Sequence, residues 1–232
     1  MSMTSEPKGR RVFIVVAAYN EARTIRAVVD RLLGEHPDVV VVDDGSRDDT
    51  AGQLAHCRAH VLRHAINRGQ GAALQTGIEF ALSRGADVIV TFDADGQHSE
   101  HNIEALVQPI LCGECDVTLG SRFLGRAHGI PTTRKLVLKA GVLFTKVFSR
   151  VHVTDSHNGL RAFSARAAAS IHITLDRMAH ASEILDQISQ HGWRYREVPV
   201  DIYYSDHSLA KGQSSWNALK IGLDILFRRA TQ

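Results

Sequence analysis

The sequence has little of what a secreted, membrane-spanning or nucleic-acid-binding protein requires. Three of the 232 residues are cysteines, too few for a disulfide framework and typical of a reducing compartment. No apolar run reaches the length of about 18 residues that a membrane span needs. Residues 1–11 lack the apolar core of a signal peptide and are expected to form a disordered polar tail. A net charge of +2 gives no indication of nucleic-acid binding. Because the features of a secreted or membrane-spanning protein are missing, a cytoplasmic protein is expected.

Motifs for several common cofactors are also absent. A nicotinamide-binding turn needs G-x-G-x-x-G directly after the first strand, and residues 17–21 contain no glycine. No phosphate-binding sequence of the Walker A type occurs. Cys112 and Cys115 have the spacing of a redox or zinc pair, but they fall in a polar turn before a strand and no second pair is present. These absences exclude a nicotinamide enzyme and disfavour thiol or zinc chemistry.

The chain does contain a regular alternation of short apolar strands with amphipathic helices. In its first half, strands are predicted over residues 12–18, 39–42, 60–63, 88–92 and 116–119, and helices over 21–34, 50–58, 72–82 and 100–111. Strands that alternate with helices in this way predict an α/β fold with a parallel, doubly wound sheet.

The second half of the chain is less regular. It is expected to contain a loop over 120–132, a long helix over 134–150, a polar turn over 154–159, a strand over 160–163, a helix over 179–191 and a strand over 194–200. A polar stretch then leads to an amphipathic helix within residues 216–232. No repeat or domain-length linker is present, so a single domain over residues 12–215 is predicted.

The clearest chemical signal is Asp93-Ala94-Asp95, which follows the fourth predicted strand directly. Residues two apart on extended backbone face the same way, so Asp93 and Asp95 can aim at one ion. Two carboxylates at the end of a strand suit Mg²⁺ or Mn²⁺, which take further ligands from substrate phosphates. A turn of this kind can also merely cap a strand, so the neighbouring segments decide between the two interpretations.

Polar clusters follow the other early strands as well. They are Tyr19-Asn20-Glu21, Asp43-Asp44-Gly45-Ser46 and Asn67-Arg68-Gly69. Because the carboxyl ends of parallel strands meet at one edge of a sheet, we expect these clusters to gather beside Asp93 and Asp95. Four convergent polar loops favour a ligand site over four independent solvated turns.

These clusters, in this order and spacing, resemble family 2 of the glycosyltransferases, in particular its dolichyl-phosphate mannose synthase and polyprenyl-phosphate glycosyltransferase branch. The resemblance also includes Gly120-Ser121-Arg122-Phe123, Thr154-Asp155, the Asn158 to Phe163 segment, Glu197-Val198-Pro199-Val200 and Lys211-Gly212-Gln213-Ser214. It covers residues 12–215. It implies the GT-A fold, a Rossmann-like, mostly parallel sheet flanked by helices in one domain.

The resemblance also implies a role for each polar group. A nucleotide-diphospho-sugar donor would be bound by Ala18, Tyr19, Asn20, Glu21, Asp43, Asp44, Ser46, Arg68, Gly69, Asp93 and Ala94. The divalent metal, Mg²⁺ or Mn²⁺, would be held by Asp93, Asp95 and Gln97. Phosphate groups of donor or acceptor would be bound by Arg122, Arg161 and Lys211. Asp155 would be a general base or a carboxylate that orients the acceptor, and with Asp95, Arg122 and Arg161 it forms the predicted catalytic set.

Transfer in this family inverts the anomeric centre in one displacement, and the resemblance favours polyprenyl phosphate as the acceptor. A saccharide acceptor is the alternative, and it would need a general base. The departure from the family pattern at Ala17, where proline is common, removes no contact group. The base of the donor, uracil or guanine, and the identity of the sugar are left open. His98 and His207 lie in candidate site loops, and His207 is a candidate further metal ligand.

Two predicted helices bear on the location of the protein. Residues 134–150 carry a stripe of three lysines beside a broad apolar surface, and residues 216–229 are apolar over more than one packing face. The first helix suits the surface of a membrane or a core position with a solvated lysine edge. The second suits the surface of a membrane, a membrane-protein partner or a second copy of the chain. A peripheral position at the inner face of the membrane is therefore one expectation, and homo-oligomers are another.

Other functions are alternatives to the transferase. The Phe92 to Gly96 segment imitates the nucleophile motif of haloacid-dehalogenase-type phosphohydrolases, but it follows the fourth strand and not the first. A non-catalytic nucleotide-sugar-binding subunit would lack part of the predicted catalytic set, and all of that set is present. A sugar-phosphate nucleotidyltransferase would require a glycine-rich loop after the first strand, and residues 17–21 contain no glycine.

Overall fold

The computed structural model describes residues 9–128, 151–174 and 179–204. In chain order the strands are β1 (Val12–Ala18), β2 (Asp38–Asp43), β3 (His60–Arg63), β4 (Val88–Asp93), β5 (Val117–His128), β6 (Arg161–Ser164) and β7 (Tyr195–Tyr203). The helices are α1 (Ile25–Glu35), α2 (Thr50–Leu54), α3 (Gln70–Ser83), α4 (Asn102–Leu111), α5 (Ala165–Ser170) and α6 (Ala179–His191).

The seven strands form one sheet in the order β3-β2-β1-β4-β6-β5-β7. β1 is parallel to β2 and β4, and β2 is parallel to β3. β6 is antiparallel to both of its neighbours, and β7 is parallel to β5. The predicted α/β fold with a mostly parallel sheet is confirmed. Because β6 runs against β4, the segment that precedes β6 arrives at the edge where β1, β2 and β4 end.

Each face of the sheet buries its own hydrophobic core, because successive residues of a strand point to opposite faces. Ile14 and Val16 of β1 face the side covered by α1 and α4, and Phe13 and Val15 face α3 and α6. All four side chains are fully buried, and burial of a side chain this large stabilises a fold by roughly 1.5–3 kcal/mol. Gly77 brings α3 very close to β1, because a Cβ at this position would overlap Val15.

The largest difference between the predicted and the observed elements is the length of β5. The sequence predicts a strand that ends near residue 119 and then a loop, whereas β5 continues to His128 beside β7. The register of this pairing is irregular between Ser121 and Arg126. Glycine and polar residues there interrupt the apolar pattern by which a strand is recognised. The strand forms because it pairs with β7, which lies far along the chain. Gly125 passes so close to β7 that a Cβ would lie 2.6 Å from the nitrogen of Val200.

Smaller differences have local causes. α1 begins at Ile25 and not at residue 21, because a turn comes first, in which the N–H of Ile25 donates to the carbonyl oxygen of Glu21. α2 ends at Leu54 and not at residue 58, since the chain reverses at His56 with a φ of +62°. α5 is not predicted, although Ser164 caps it by accepting from the N–H of an alanine in its first turn at 3.2 Å.

Several predictions fall outside the described residues. They concern the tail before residue 9, the helices over 134–150 and 216–229, Lys211 and His207. Within the described part of the chain, no helix combines the length and the apolar character that crossing a bilayer requires.

Candidate active site

The loops after β1 and β2 bind each other at the carboxyl edge of the sheet. The N–H of Asn20 donates to Oγ of Ser46 (2.9 Å), and Oδ1 of Asn20 accepts from the N–H of Arg47 (2.8 Å). The N–H of Glu21 donates to Oγ1 of Thr50 (2.8 Å). Asn20 has a φ of +54°, a conformation that asparagine adopts more readily than most residues. These contacts bring two of the predicted donor-site clusters together.

Asp43 is fully buried at the end of β2. Its Oδ1 accepts from the N–H of Ser46 (2.9 Å), and its Oδ2 lies 3.1 Å from Nε of Arg63 on β3. Gly45 follows with a φ of +68°, and a Cβ there would lie 2.7 Å from the carbonyl carbon of Ile66. Asp43 and Ser46 therefore shape this loop, and Arg63 is a contact that the sequence does not reveal.

Asp44 organises the loop after β3. Its carboxylate is 2% exposed and accepts from the backbone N–H groups of Arg68 (2.9 Å) and Gly69 (2.7 Å). Nδ1 of His64 lies 2.7 Å from the same carboxylate, and Nε2 of His64 lies 3.0 Å from Oγ1 of Thr76. A carboxylate only accepts, so Nδ1 carries the proton. The predicted contact of Asp44 with the donor stays a prediction.

Tyr19 and Arg68 are the predicted donor contacts that solvent reaches most readily. Tyr19 is 39% exposed, and Arg68 is exposed at the end of the neighbouring loop. Ala18 is buried, and its carbonyl oxygen accepts from the N–H of Asp44 at 2.8 Å. A ligand at this edge would therefore contact the exposed side chains of Tyr19 and Arg68, next to the buried Ala18 and Asp44.

Asp93 is the last residue of β4, and Asp95 and Gln97 lie just after it. Oδ1 of Asp93 accepts from Nε2 of Gln70 (3.1 Å), and its Oδ2 accepts from Nε2 of His98 (3.0 Å). Asp95 accepts from the backbone N–H of Gln97 (3.0 Å) and from its side-chain Nε2 (2.7 Å). Gln97 thus binds Asp95 through its amide nitrogen, which leaves its amide oxygen outside that contact.

The two aspartates have pKa values that are shifted in opposite directions. Burial raises the pKa of Asp95 to about 6, and the negative charges of Asp93 and Glu21 act in the same sense. Burial also acts to raise the pKa of Asp93, but the hydrogen bond and charge of His98, together with two further basic groups, outweigh it and lower this pKa. Asp93 therefore ionises more readily than Asp95, and a cation near both would favour the ionised form of Asp95.

The segment before β6 approaches Asp93 closely at Gly159. A Cβ at Gly159 would lie 2.7 Å from Cγ of Asp93. The carbonyl oxygen of Gly159 accepts from Oγ1 of Thr91 on β4 at 2.7 Å. Only glycine allows this approach, which brings the segment before β6 against Asp93.

Arg122 and Asp155 form a buried ion pair in this region. Arg122 is 8% and Asp155 3% exposed. Oδ2 of Asp155 accepts from Nε of Arg122 (2.6 Å) and from its backbone N–H (3.1 Å). Nη1 of Arg122 donates to the hydroxyl of Tyr204 (2.6 Å), and Oδ1 of Asp155 accepts from the N–H of His157 (3.3 Å). The pair fastens β5 to the segment before β6.

Arg161 is buried at the start of β6 and donates to three backbone carbonyl oxygens. They belong to Asn158 (3.0 Å, from Nε), Ala181 (3.4 Å, from Nη1) and Ser156 (3.2 Å, from Nη2). Burial lowers the pKa of Arg161 to about 10, against the opposing effect of two nearby aspartates. Arg161 is thus a cation at neutral pH and ties the loop before β6 to α6.

The cysteine pair has no place in this site. Cys112 is exposed just after α4, and Cys115 is buried, which raises the pKa of its thiol. A raised pKa disfavours the reactive thiolate at Cys115.

Residues 13–169 match the family model described as glycosyl transferase family 2. The chain belongs to this family. The predicted family and the predicted glycosyltransferase activity are confirmed. Membership of this family argues against the phosphohydrolase alternative.

Named relatives of this glycosyltransferase cover most of its length. It is 31% identical over 239 residues to a UDP-N-acetylglucosamine–dolichyl-phosphate N-acetylglucosaminyltransferase of Methanococcus voltae, with 94% of each chain covered. It is 34% identical over 203 residues to an undecaprenyl-phosphate mannosyltransferase of Micrococcus luteus, with 82% of each chain covered.

A solved structure confirms the fold. Glucosyl-3-phosphoglycerate synthase from Mycobacterium tuberculosis, in complex with Mn²⁺ and UDP-glucose, superposes on the chain with a TM-score of 0.72 at 20% identity. The superposition covers 94% of this chain and 77% of that one. The predicted GT-A fold is therefore confirmed.

Proposed function

We propose that this chain is an inverting, metal-dependent glycosyltransferase that moves a hexose from a nucleotide-diphospho-sugar to a polyprenyl or dolichyl phosphate. The observation that carries the proposal is the proximity of an anionic and a cationic half-site. Asp93 and Asp95 form the anionic half, and Arg122 belongs to the cationic half. The segment before β6 connects them, because its Gly159 lies against Asp93 and its Asp155 pairs with Arg122. The two relatives whose names include a lipid phosphate support the choice of acceptor.

The residues at the end of β4 fit a divalent cation. Burial and the charge of Asp93 raise the pKa of Asp95 to about 6, so a cation beside the two carboxylates would favour the ionised form of Asp95. The oxygens of Asp93, Asp95 and the amide of Gln97 would hold Mg²⁺ or Mn²⁺, both of which prefer oxygen ligands. When bound, such an ion supplies Lewis-acid stabilisation of the departing diphosphate.

The donor would lie along the edge formed by the loops after β1, β2 and β3. Tyr19 and Arg68 reach it from the solvent side, and the buried carboxylates of Asp43 and Asp44 keep the loops in shape. Among donors, a UDP-sugar is favoured because the Methanococcus relative carries UDP-N-acetylglucosamine in its name. A GDP-sugar is the alternative.

The acceptor phosphate would bind at Arg122. A guanidinium binds phosphate oxygens well because its N–H groups match them in geometry and charge. A phosphate oxygen then attacks the anomeric carbon from the side opposite the diphosphate. The bond from that carbon to the diphosphate oxygen breaks, and its electron pair leaves with the diphosphate, which inverts the centre.

An ionised phosphate needs no general base, so Asp155 has a different part in this reaction. Its carboxylate is buried against Arg122, where it holds the guanidinium in place. Of the two predicted roles for Asp155, orientation of the acceptor is therefore proposed over proton removal. Arg161, whose N–H groups bind backbone carbonyls, keeps the loop that carries Asp155 in position.

A polyprenyl phosphate resides in a membrane, so the proposed reaction takes place at a membrane surface. We propose that the chain binds there peripherally, with residues 134–150, residues 216–232 and Lys211 as the segments to test for contact with lipid or a membrane-protein partner. The saccharide acceptor is the competing proposal.

The donor half of the proposal can be tested by thermal unfolding with UDP, GDP, CDP and TDP, each with Mn²⁺ or with EDTA. At a ligand concentration 100 times Kd, one nucleotide should raise Tm by about 5–10 °C, and only with Mn²⁺. Asp95→Asn should abolish the shift. A shift of equal size in EDTA would refute the metal assignment, and no shift with any nucleotide would refute the donor class.

A further inference from the structure

Glu197 on β7 is a carboxylate that the proposed reaction does not use. Both of its oxygens accept from the N–H of Thr154, at 2.8 Å and 2.9 Å. Oε1 also accepts from Oγ1 of Thr154 (2.8 Å) and from the N–H of Asp155 (3.2 Å). These four contacts all involve Thr154 and Asp155, which lie in the segment before β6.

The contacts of Glu197 fix the direction in which two hydroxyl groups donate. A carboxylate only accepts, so Oγ1 of Thr154 gives its proton to Glu197. Oγ1 must then accept from Oγ of Ser121, which lies 2.6 Å away. Oγ of Ser121 in turn accepts from the backbone N–H groups of Phe123 (3.2 Å) and Leu124 (3.3 Å). One carboxylate thereby orients a hydrogen-bond relay that ends in the backbone of β5.

The backbone at the end of this relay carries Arg122. It lies where the register of β5 with β7 is interrupted, between Ser121 and Arg126, so the regular pairing of the two strands does not extend across it. The partner of Arg122, Asp155, receives its own support from Glu197 through its N–H. Glu197 therefore acts on both members of the Arg122–Asp155 pair, on one through the relay and on the other directly.

We propose that Glu197 is a positioning residue for the acceptor phosphate, which it serves by fixing Arg122 through Thr154, Ser121 and Asp155. This inference rests on the proposed function, in which Arg122 binds that phosphate. A residue that only stabilised the fold would affect donor and acceptor alike. A positioning residue on this side of the site affects the acceptor and leaves the metal and donor sites unchanged.

Hydrogen exchange tests the relay without any need for activity. Glu197→Gln places an amide group opposite the N–H of Thr154, and Thr154→Val removes the hydroxyl from the relay. Both variants should exchange the amides of residues 122–125 faster than the parent and leave residues 93–98 unchanged. Thr154→Ser keeps the hydroxyl and should restore protection. Glu79→Gln, on the exposed face of α3, is the matched control. Unchanged exchange at 122–125 would overturn the relay.

Kinetics tests the role in acceptor binding. In Glu197→Gln and Thr154→Val, KM for undecaprenyl phosphate should rise about tenfold or more, as expected when hydrogen bonds to a charged group are lost. Kd for UDP with Mn²⁺ should stay within about twofold of the parent value. Equal losses in both constants, or none in KM, would overturn the positioning role. A parent enzyme that does not use polyprenyl phosphate would overturn the proposed acceptor, while hydrogen exchange would still decide the relay.

Discussion

Nε2 of His98 donates a hydrogen bond to Oδ2 of Asp93 over 3.0 Å. Because a carboxylate only accepts, Nε2 carries the proton, and the buried Nδ1 of His98 has no hydrogen-bond partner among the described residues. The other oxygen of Asp93 accepts from Gln70. Both oxygens of this proposed metal ligand are thus oriented by the protein itself, an arrangement that tunes metal sites in general.

The histidine should therefore control metal affinity. His98→Ala removes the donor that orients Asp93 and lowers its pKa, and Mn²⁺ binding in the presence of UDP should weaken by about 10- to 100-fold. Isothermal titration calorimetry measures this directly. His152→Ala, at an exposed side chain, should bind Mn²⁺ as the parent does. Equal losses in both variants would contradict the role of His98.

Asp95 should make the metal-free protein less stable as the pH rises. Folding raises its pKa from 3.8 to about 6, so the folded state disfavours the ionised form. The stability that the protonated carboxyl contributes is complete below about pH 4 and is lost as the pH rises through 6. In EDTA, Asp95→Asn should be more stable than the parent at pH 7, by on the order of 1 kcal/mol, and equal to it near pH 4. Parallel curves of Tm against pH would refute this.

The buried ion pair should make Asp155 important for stability as well as for activity. Asp155→Ala leaves the guanidinium of Arg122 buried without its carboxylate, which costs about 3–5 kcal/mol in comparable pairs. Denaturant unfolding should show this loss, and transfer should fall with it. Asp30→Ala, which removes the partner of Arg26 in an ion pair that is exposed on both sides, should cost less than about 1 kcal/mol. Undiminished transfer by Asp155→Ala would remove it from the catalytic set.

Gly159 should be intolerant of any side chain. In Gly159→Ala the new Cβ would meet the carboxylate of Asp93 at 2.7 Å from Cγ, so either the loop or the metal ligand must move. Loss of Mn²⁺ binding is expected in calorimetry. Gly34→Ala in α1, where no atom lies within 4 Å of the new Cβ, should instead stabilise the fold by roughly 0.5–1 kcal/mol. Normal Mn²⁺ binding by Gly159→Ala would contradict the close approach.

Much of the fold could be predicted because its central strands carry their own signal. The apolar runs in β1 and β4 are buried on both faces, and such runs identify parallel strands with helices on each side. The antiparallel direction of β6 and the extension of β5 could not be predicted in this way. Both depend on which distant strand is the neighbour, and in β5 the glycine and polar residues hide the pattern.

The site was predictable where spacing alone sets the geometry. Asp93 and Asp95 are close together, as their spacing indicates, since the charge of Asp93 acts to raise the pKa of Asp95. Their joint binding of a metal stays a prediction. Contacts between distant segments have no such signal. Gln70 reaches Asp93 across 23 positions and Glu197 reaches Thr154 across 43, so only the fold reveals them.

The most direct test of the proposed function is transfer of labelled sugar from UDP-N-acetylglucosamine to undecaprenyl phosphate in phospholipid vesicles. With Mn²⁺, we expect label in the lipid that organic solvent extracts, and we expect none with EDTA or with Asp95→Asn. A short panel of other UDP- and GDP-sugars covers the alternative donors. If no donor gave labelled lipid and the enzyme instead transferred sugar to a saccharide acceptor, the lipid-phosphate assignment would be contradicted. Equal transfer in EDTA would contradict the metal.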